Sequence, residues 1–186
     1  MGTMLEVRNL VKKYGEKLAV DDISFDIREG EIFSLLGPNG AGKTTTISIL
    51  STLFSPSAGD ASILGYSVTK NPMEVKRLIG VVPQEIALYD DMTALENLNF
   101  WGEMYGLSGG TLKARVKELL EQIGLADRAK ERIKTYSGGM KRRVNIAVGL
   151  MHKPRLLFMD EPTVGIDPQS RRAILDSVKA LNKEGM

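Results

Sequence analysis

No cysteine occurs among the 186 residues, which excludes disulfides and thiol chemistry and suits a reducing compartment. Long apolar runs are also missing. None approaches the roughly 20 residues of a membrane span, and the first residues lack the basic segment and apolar core of a signal peptide. A membrane would therefore have to be reached through a partner. Charge of one sign is scarce: 25 basic against 23 acidic residues leave a net +2, so no general field favours nucleic acid. Internal repeats and low-complexity tracts are absent. What remains is ordinary globular material, 42% hydrophobic and 26% charged, long enough for one well-buried domain with room for a small subdomain.

The most informative stretch is Gly37-Pro38-Asn39-Gly40-Ala41-Gly42-Lys43-Thr44, which fits G-x-x-x-x-G-K-[ST], a phosphate-binding loop. Glycine lets a backbone curl around a phosphate and turn successive N–H groups inward. The helix expected next, about Lys43–Leu53, adds the partial positive charge of its N-terminus. Lys43 suits the β- and γ-phosphates and the Thr44 hydroxyl suits Mg²⁺. Thr44-Thr45-Thr46-Ile47 is all β-branched, a poor helix start and the kind of local conflict expected where function overrides propensity. A chance match to the pattern has odds of roughly one in a hundred for a chain this size. Nucleotide binding is the stronger reading.

Taken in order, Leu5, Val7 and then Ile23, Phe25, Ile27 alternate with polar residues as half-buried antiparallel strands do, with turns at Tyr14-Gly15-Glu16 and Arg28-Glu29-Gly30. Ile32–Leu36 is nearly all apolar and reads as a parallel strand buried on both faces. Ala61–Leu64 and Leu78–Val82 read as further strands. From Asp90 the character shifts. Thr93-Ala94-Leu95-Glu96 is a capping box opening a helix with Leu95, Leu98, Trp101 and Tyr105 on one face. Leu112, Val116, Leu119, Leu120 and Ile123 make a second helix, stopped at Gly124, and Ser137 opens a third with Met140, Val144, Ala147, Val148 and Met151 inward. Trp101 and the methionines read as core packing. Arg155–Met159 returns to a buried strand, and Asp167-Pro168 caps a last helix bearing Ile174, Leu175, Val178 and Leu181, with Gly185 as its C-cap.

The strand Leu156–Asp160 ends in a carboxylate able to hold Mg²⁺ opposite Thr44, and Glu161 follows at the sheet edge, where it can orient a water for in-line attack on a γ-phosphate. A solvated loop glutamate is the bland alternative for Glu161. With these motifs in this order, the chain resembles the nucleotide-binding domain of an ABC (ATP-binding cassette) transporter over essentially its whole length. The resemblance implies an α/β fold: a phosphate-loop ATPase core with a mostly parallel sheet, an N-terminal antiparallel β subdomain and an inserted helical subdomain. It implies one domain over 1–186: β subdomain and phosphate-loop core at 1–89, helical subdomain at 90–152, second part of the core at 153–186. ATP and Mg²⁺ are its implied ligands. Gly37, Asn39, Gly40, Ala41, Gly42, Lys43, Thr44 and Thr45 match the ATP-binding loop, and Tyr14 the aromatic stacked on adenine. Gln84 matches the glutamine that senses Mg²⁺ and γ-phosphate, which with Thr44 and Asp160 completes the metal set and with Glu161 the catalytic pair.

Tyr136-Ser137-Gly138-Gly139-Met140 matches the family's signature, most often written L-S-G-G-Q; Ser137, Gly138 and Gly139 keep its core, while Tyr136 and Met140 depart from it. It is a capped helix N-terminus, hence a second anion site, serving in the family the ATP held by the opposite subunit. Lys141-Arg142-Arg143 opposes that helix's dipole, an odd choice unless an anion docks nearby. Asp167 matches the loop coupling the two sites, and it is also an ordinary N-cap. The resemblance thus implies a head-to-tail homodimer or paired ATPase subunit, a membrane-spanning partner contacting Gln84–Thr93 and the helical insertion, no nucleic acid, and a cytoplasmic position against the inner face of the membrane. Tyr-Ser-Gly-Gly-Met-Lys-Arg-Arg resembles the branch that exports drugs, lipids or ions.

The family's switch histidine lies beyond the next strand, whereas His152 precedes the Asp160 strand and reads as a helix-end residue. The expectation is a truncated form that lacks the last core strands, with an exposed edge, ATP binding retained and hydrolysis weak or absent. Two other readings stay open: a nucleotide-binding fragment without ATPase activity, and a soluble ABC protein of translation or DNA repair. A single phosphate loop and a helical insertion of only about 60 residues argue against the latter.

Overall fold

The computed structural model describes residues 2–183 and 185, which divide into two compact units, 2–79 with 185, and 80–183. The first unit is built on a four-stranded antiparallel sheet. β1 (Thr3–Tyr14) and β2 (Lys17–Arg28) form a long hairpin; β3 (Ala58–Ile63) pairs with the other side of β1, and the short β4 (Tyr66–Ser67) follows, giving the order β2-β1-β3-β4. The period-two pattern fixes the register, with Leu5 opposite Ile27 and Ile63, and Val7 opposite Phe25 and Ala61. Met4, Leu5, Val7, Leu10 and Ile63 are buried. Two helices belong to this unit, α1 (Lys43–Leu50) and α2 (Pro72–Leu78). The second has proline at its first positions, where the lost N–H has no helical partner in any case.

The second unit is helical around a two-stranded parallel sheet of β5 (Ile79–Val82) and β6 (Leu156–Met159). The fold is therefore α/β. Between the strands run α3 (Ala94–Met104), α4 (Gly109–Gln122) and α5 (Gly138–Gly149); α6 (Pro168–Lys183) follows β6. The capping box forms as expected: Glu96 N–H donates to Thr93 Oγ1 at 3.1 Å, and Thr93 N–H to Glu96 Oε2 at 2.7 Å. These bonds hold the Glu96 carboxyl below its usual range, the backbone donor being the larger cause. Leu98, Val116, Leu119, Val144, Ala147, Met151 and Ile174 make the buried core.

Three expectations are corrected. Ile32–Leu36 is not a strand: it runs without regular structure, and Ile32, Phe33 and Leu36 are 54%, 41% and 92% exposed. Apolar residues alone do not make a strand. Its backbone needs ladder partners on either side, and among the described residues no strand pairs with it. Phe33 instead stacks on Phe25, 5.1 Å between ring centroids. Second, α1 ends at Leu50 rather than Leu53, closed by a bond from Leu53 N–H to Ser48 O at 2.8 Å with Thr52 left-handed at φ 63°. Third, Tyr105 and Leu175 do not join the buried faces and are 43% and 47% exposed: Tyr105 is the C-cap residue beyond α3, and α6 buries a narrower stripe than its apolar residues could cover.

Arg115 ties the helical layer together. Its side chain, 10% exposed, donates from Nε to Met151 O at 3.1 Å and from Nη2 to Leu150 O, while Glu118 pairs with Nη1 at 2.8 Å. A cation on the carbonyls at the end of α5 satisfies orphan acceptors and complements the dipole. Arg115→Met keeps the stem and removes the donors, so it should cost about 2 kcal/mol and lower the melting midpoint by roughly 4–8 °C. A calorimetric scan with an unshifted midpoint would show that these bonds carry no net weight.

Candidate nucleotide site

In the first unit, the phosphate loop turns directly into α1. Ala41 N–H donates to Pro38 O at 3.2 Å, and the Lys43 ammonium donates to Gly37 O at 2.9 Å and Pro38 O at 3.1 Å, pinning the two ends of the loop to each other. Gly40 and Gly42 take left-handed conformations, φ 84° and 85°. A Cβ on Gly42 would lie 2.3 Å from the Ala19 carbonyl of β2, whereas one on Gly40 would meet nothing within 4 Å. Gly42 is the N-cap of α1; no side chain caps this end, and no acidic residue lies in the first turn. The N–H groups and partial positive charge of α1 are thus left for an outside anion. Asn39 is exposed at the loop tip, with Thr44 exposed and Thr45 half-buried in the first turn. Tyr14, at the end of β1, is 46% exposed; Phe54 meets its ring edge-on at 6.5 Å, and the Lys12 ammonium sits 5.1 Å from its centroid.

The second unit brings together Gln84, Asp160 and Glu161. The Asp160 N–H donates to Val82 O at 3.0 Å, extending the β5–β6 pairing by one residue, and Asp160 is 6% exposed. Glu161 follows with φ 46°, a conformation costly for a residue with a Cβ and typical of functional positions. Gln84 Nε2 donates to Glu161 Oε2 at 3.3 Å across 77 residues of sequence. Among the described residues no group of three or more acidic or histidine side chains could hold a metal by itself. One buried carboxylate suits Mg²⁺, which usually takes only one or two protein carboxylates beside substrate phosphates.

The signature turn and the loop before α6 form a second constellation. Ser137 caps α5, its Oγ accepting from Met140 N–H at 3.3 Å. A Cβ on Gly138 would touch only Ile166 Cδ1 at 3.7 Å, but one on Gly139 would lie 2.2 Å from Ser170 Oγ and 2.4 Å from Ser170 Cβ. Asp167 Oδ1 accepts the Ser170 N–H at 2.9 Å, and that backbone bond is the main reason its carboxyl lies below the usual range. The two departures from the signature meet on one residue. Tyr136 OH donates to Arg128 O at 2.6 Å, the Arg128 guanidinium sits 5.7 Å from the Tyr136 ring, and its Nη1 reaches Met140 Sδ at 3.5 Å. Sequence reading did not single out Arg128.

The basic run after the signature has a different role from the one expected. Lys141 pairs with Asp90 at 2.8 Å, Arg142 donates to the carbonyls of Pro83 and Gln84, and Arg143 Nη1 donates to Ile123 O at 2.7 Å. These cations answer to internal acceptors, so their opposition to the dipole does not require a docked anion. Burial pushes both arginines below their usual range. His152 follows α5 and stacks on Tyr105, 4.2 Å between centroids. No helix among the described residues is long and apolar enough to cross a membrane.

The family model described as "ABC transporter" matches residues 20–164. The linearmycin resistance ATP-binding protein LnrL of Bacillus subtilis is 58% identical over 98% of the chain. The doxorubicin resistance ATP-binding protein DrrA of Mycobacterium tuberculosis is 48% identical over 97% of it. The chain spans 59% and 55% of the length of these two relatives. Among solved structures, the dimeric ATP-binding cassette MJ0796 in a post-hydrolysis state, bound to ADP and Pi, superposes with a TM-score of 0.84 at 31% identity, over 97% of this chain and 84% of that one.

Proposed function

Because the chain belongs to the ABC transporter family, we propose that it is the ATP-binding subunit of an exporter, coupling ATP binding and hydrolysis across a head-to-tail dimer to substrate movement by a membrane-spanning partner. The observation that carries the ATP reading is the N-terminus of α1: no capping side chain, no carboxylate, and two left-handed glycines in the loop before it. Gly37, Asn39, Gly40, Ala41 and Gly42 offer backbone donors to the phosphates; Lys43, Thr44 and Thr45 add an ammonium and two hydroxyls, and Tyr14 an aromatic face for adenine. Thr44, Asp160 and Gln84 would hold Mg²⁺, which supplies charge neutralisation of the phosphates when bound.

Glu161 is the residue we assign to the attacking water. Its carboxylate takes a proton from the water as the water oxygen attacks the γ-phosphorus in line, and the bond to the ADP oxygen breaks with its electron pair leaving on ADP. The bond from Gln84 Nε2 steadies that carboxylate. Ser137, Gly138 and Gly139 serve the partner's nucleotide, and Asp167, beside them through Ser170, couples the two sites. The whole chain acts as one nucleotide-binding domain, 1–89 and 153–186 forming its core and 90–152 its helical part. The membrane subunit docks on Gln84–Thr93 and the helical insertion, which places this subunit on the cytoplasmic face. The two relatives, named for linearmycin and doxorubicin resistance, favour an antibiotic-like substrate.

The test is Mg²⁺-ATP incubation of the purified chain, scoring retained nucleotide and released phosphate. Retention should be lost in Lys43→Ala. Whatever phosphate the chain releases, expected to be little, should fall further in Glu161→Gln while retention stays, as when a group acting on the attacking water is removed. No retention by the unsubstituted chain sinks the ATP reading; release unaffected by Glu161→Gln sinks the assignment of that residue.

A further inference from the structure

Arg142 follows the Ser-Gly-Gly core of the signature; it is 4% exposed, and both terminal nitrogens of its guanidinium donate to consecutive backbone carbonyls while Nε is buried without a hydrogen-bond partner among the described residues. Nη1 donates to Pro83 O at 2.7 Å and Nη2 to Gln84 O at 2.6 Å. One turn further along α5, Asn145, 2% exposed, accepts the Ala87 N–H on its Oδ1 at 3.3 Å. One helix therefore grips the segment that follows β5 at both ends. That same helix begins at Ser137, and the segment carries Gln84, whose amide reaches Glu161 at 3.3 Å.

A planar guanidinium suits this task because it presents two N–H groups in a fixed fork, so two acceptors are held in register with the helix bearing it. Burying a full charge is costly unless its hydrogen bonds are good. Apolar packing would have sufficed to brace a loop, whereas two charge-assisted bonds fix its backbone to the helix. We propose that Arg142 is a positioning residue that locks the backbone of Gln84 to the signature helix, so that nucleotide docked on Ser137–Gly139 and the Gln84–Glu161 pair move as one element. It rests on the ATPase reading for its consequence, though not for the lock itself. The coupling is reciprocal, as linkage requires: whatever shifts α5 shifts Gln84, and whatever holds Gln84 biases α5.

The experiment follows backbone amide hydrogen exchange at residues 84–89 in the unsubstituted chain, in Arg142→Met and in Arg142→Lys, beside ATP retention and phosphate release. Arg142→Met keeps the stem but loses both donors; exchange at 84–89 should rise about 10-fold or more while the amides of α5 stay protected. Arg142→Lys keeps the charge but not the fork and should fall between. ATP retention should be unchanged in both, and phosphate release should fall about 10-fold in the methionine variant, a loss in turnover without one in binding. Unchanged exchange at 84–89 overturns the lock. Exchange rising equally along α5 also overturns it, since Arg142 would then only brace the fold. Should Arg142→Met fail to fold, Arg142→Lys carries the same comparison. If the unsubstituted chain releases no phosphate, the turnover comparison drops out and the exchange result alone decides the lock.

Discussion

Gly42→Ala should lower stability by about 3–5 kcal/mol and abolish ATP retention, whereas Gly40→Ala should cost only about 1 kcal/mol. Both glycines sit in the phosphate loop with the same left-handed φ, 84° and 85°, so both variants incur the same conformational penalty. The difference is what stands in the way. A methyl on Gly40 projects into open space, but one on Gly42 lies 2.3 Å from the Ala19 carbonyl and 3.4 Å from Val20 Cγ2. A carbonyl in a paired strand cannot swing aside as a flexible side chain can, so either β2 or the start of α1 must move. That start is where Lys43 bonds back to Gly37 and Pro38, and its displacement spoils the loop even in molecules that stay folded. Urea unfolding gives the first quantity and filter-bound nucleotide the second. Equal effects at 40 and 42 would show that the Ala19 carbonyl is not the constraint.

The contrast between those glycines marks where sequence was sufficient and where it was not. The capping box at Thr93 and Glu96 and the caps at Ser137 and Asp167 are legible because each is made by residues three apart whose chemistry admits few partners, and the loop because its whole pattern lies within eight residues. The antiparallel strands are legible where the alternation is local, at Leu5 and Val7 and at Ile23, Phe25 and Ile27, but not the register shifts that break the pairing between them. Ile32–Leu36 was misread because a strand is a property of its neighbours as much as of its own residues. The Lys141-Arg142-Arg143 run was misread because the acceptors of Arg142 lie 58 and 59 residues away, at a distance no local pattern encodes. Their sequence signal was nevertheless present. Cations opposing a helix dipole need a compensating partner, and that partner proved to be Asp90 and three carbonyls rather than a ligand.

The two glycines of the signature should separate in the same way as those of the phosphate loop, with a sharper outcome because the obstructing residue can itself be changed. Gly138→Ala adds a methyl in ordinary contact with Ile166 and should leave stability unchanged or raise it by up to about 1 kcal/mol, as alanine does in a helix. Gly139→Ala drives its methyl to within 2.4 Å of Ser170 Cβ, part of α6 rather than a free side-chain tip, and should cost about 2–4 kcal/mol. Ser170→Gly in the parent chain should itself cost about 1 kcal/mol, from glycine in the first turn of α6, with the N–H still bonded to Asp167. In the Gly139→Ala background the sign should reverse: removing Cβ from position 170 leaves only Cα, 3.7 Å from the new methyl, and stability should return by about 1–2 kcal/mol. Ser170→Ala keeps Cβ and should not rescue. Urea midpoints of these variants form a complete double-mutant cycle. Additive effects would mean that α5 and α6 do not press on each other at this point. A rescued double variant whose phosphate release stays low would separate the space Gly139 leaves for α6 from the role proposed for it toward the partner's nucleotide.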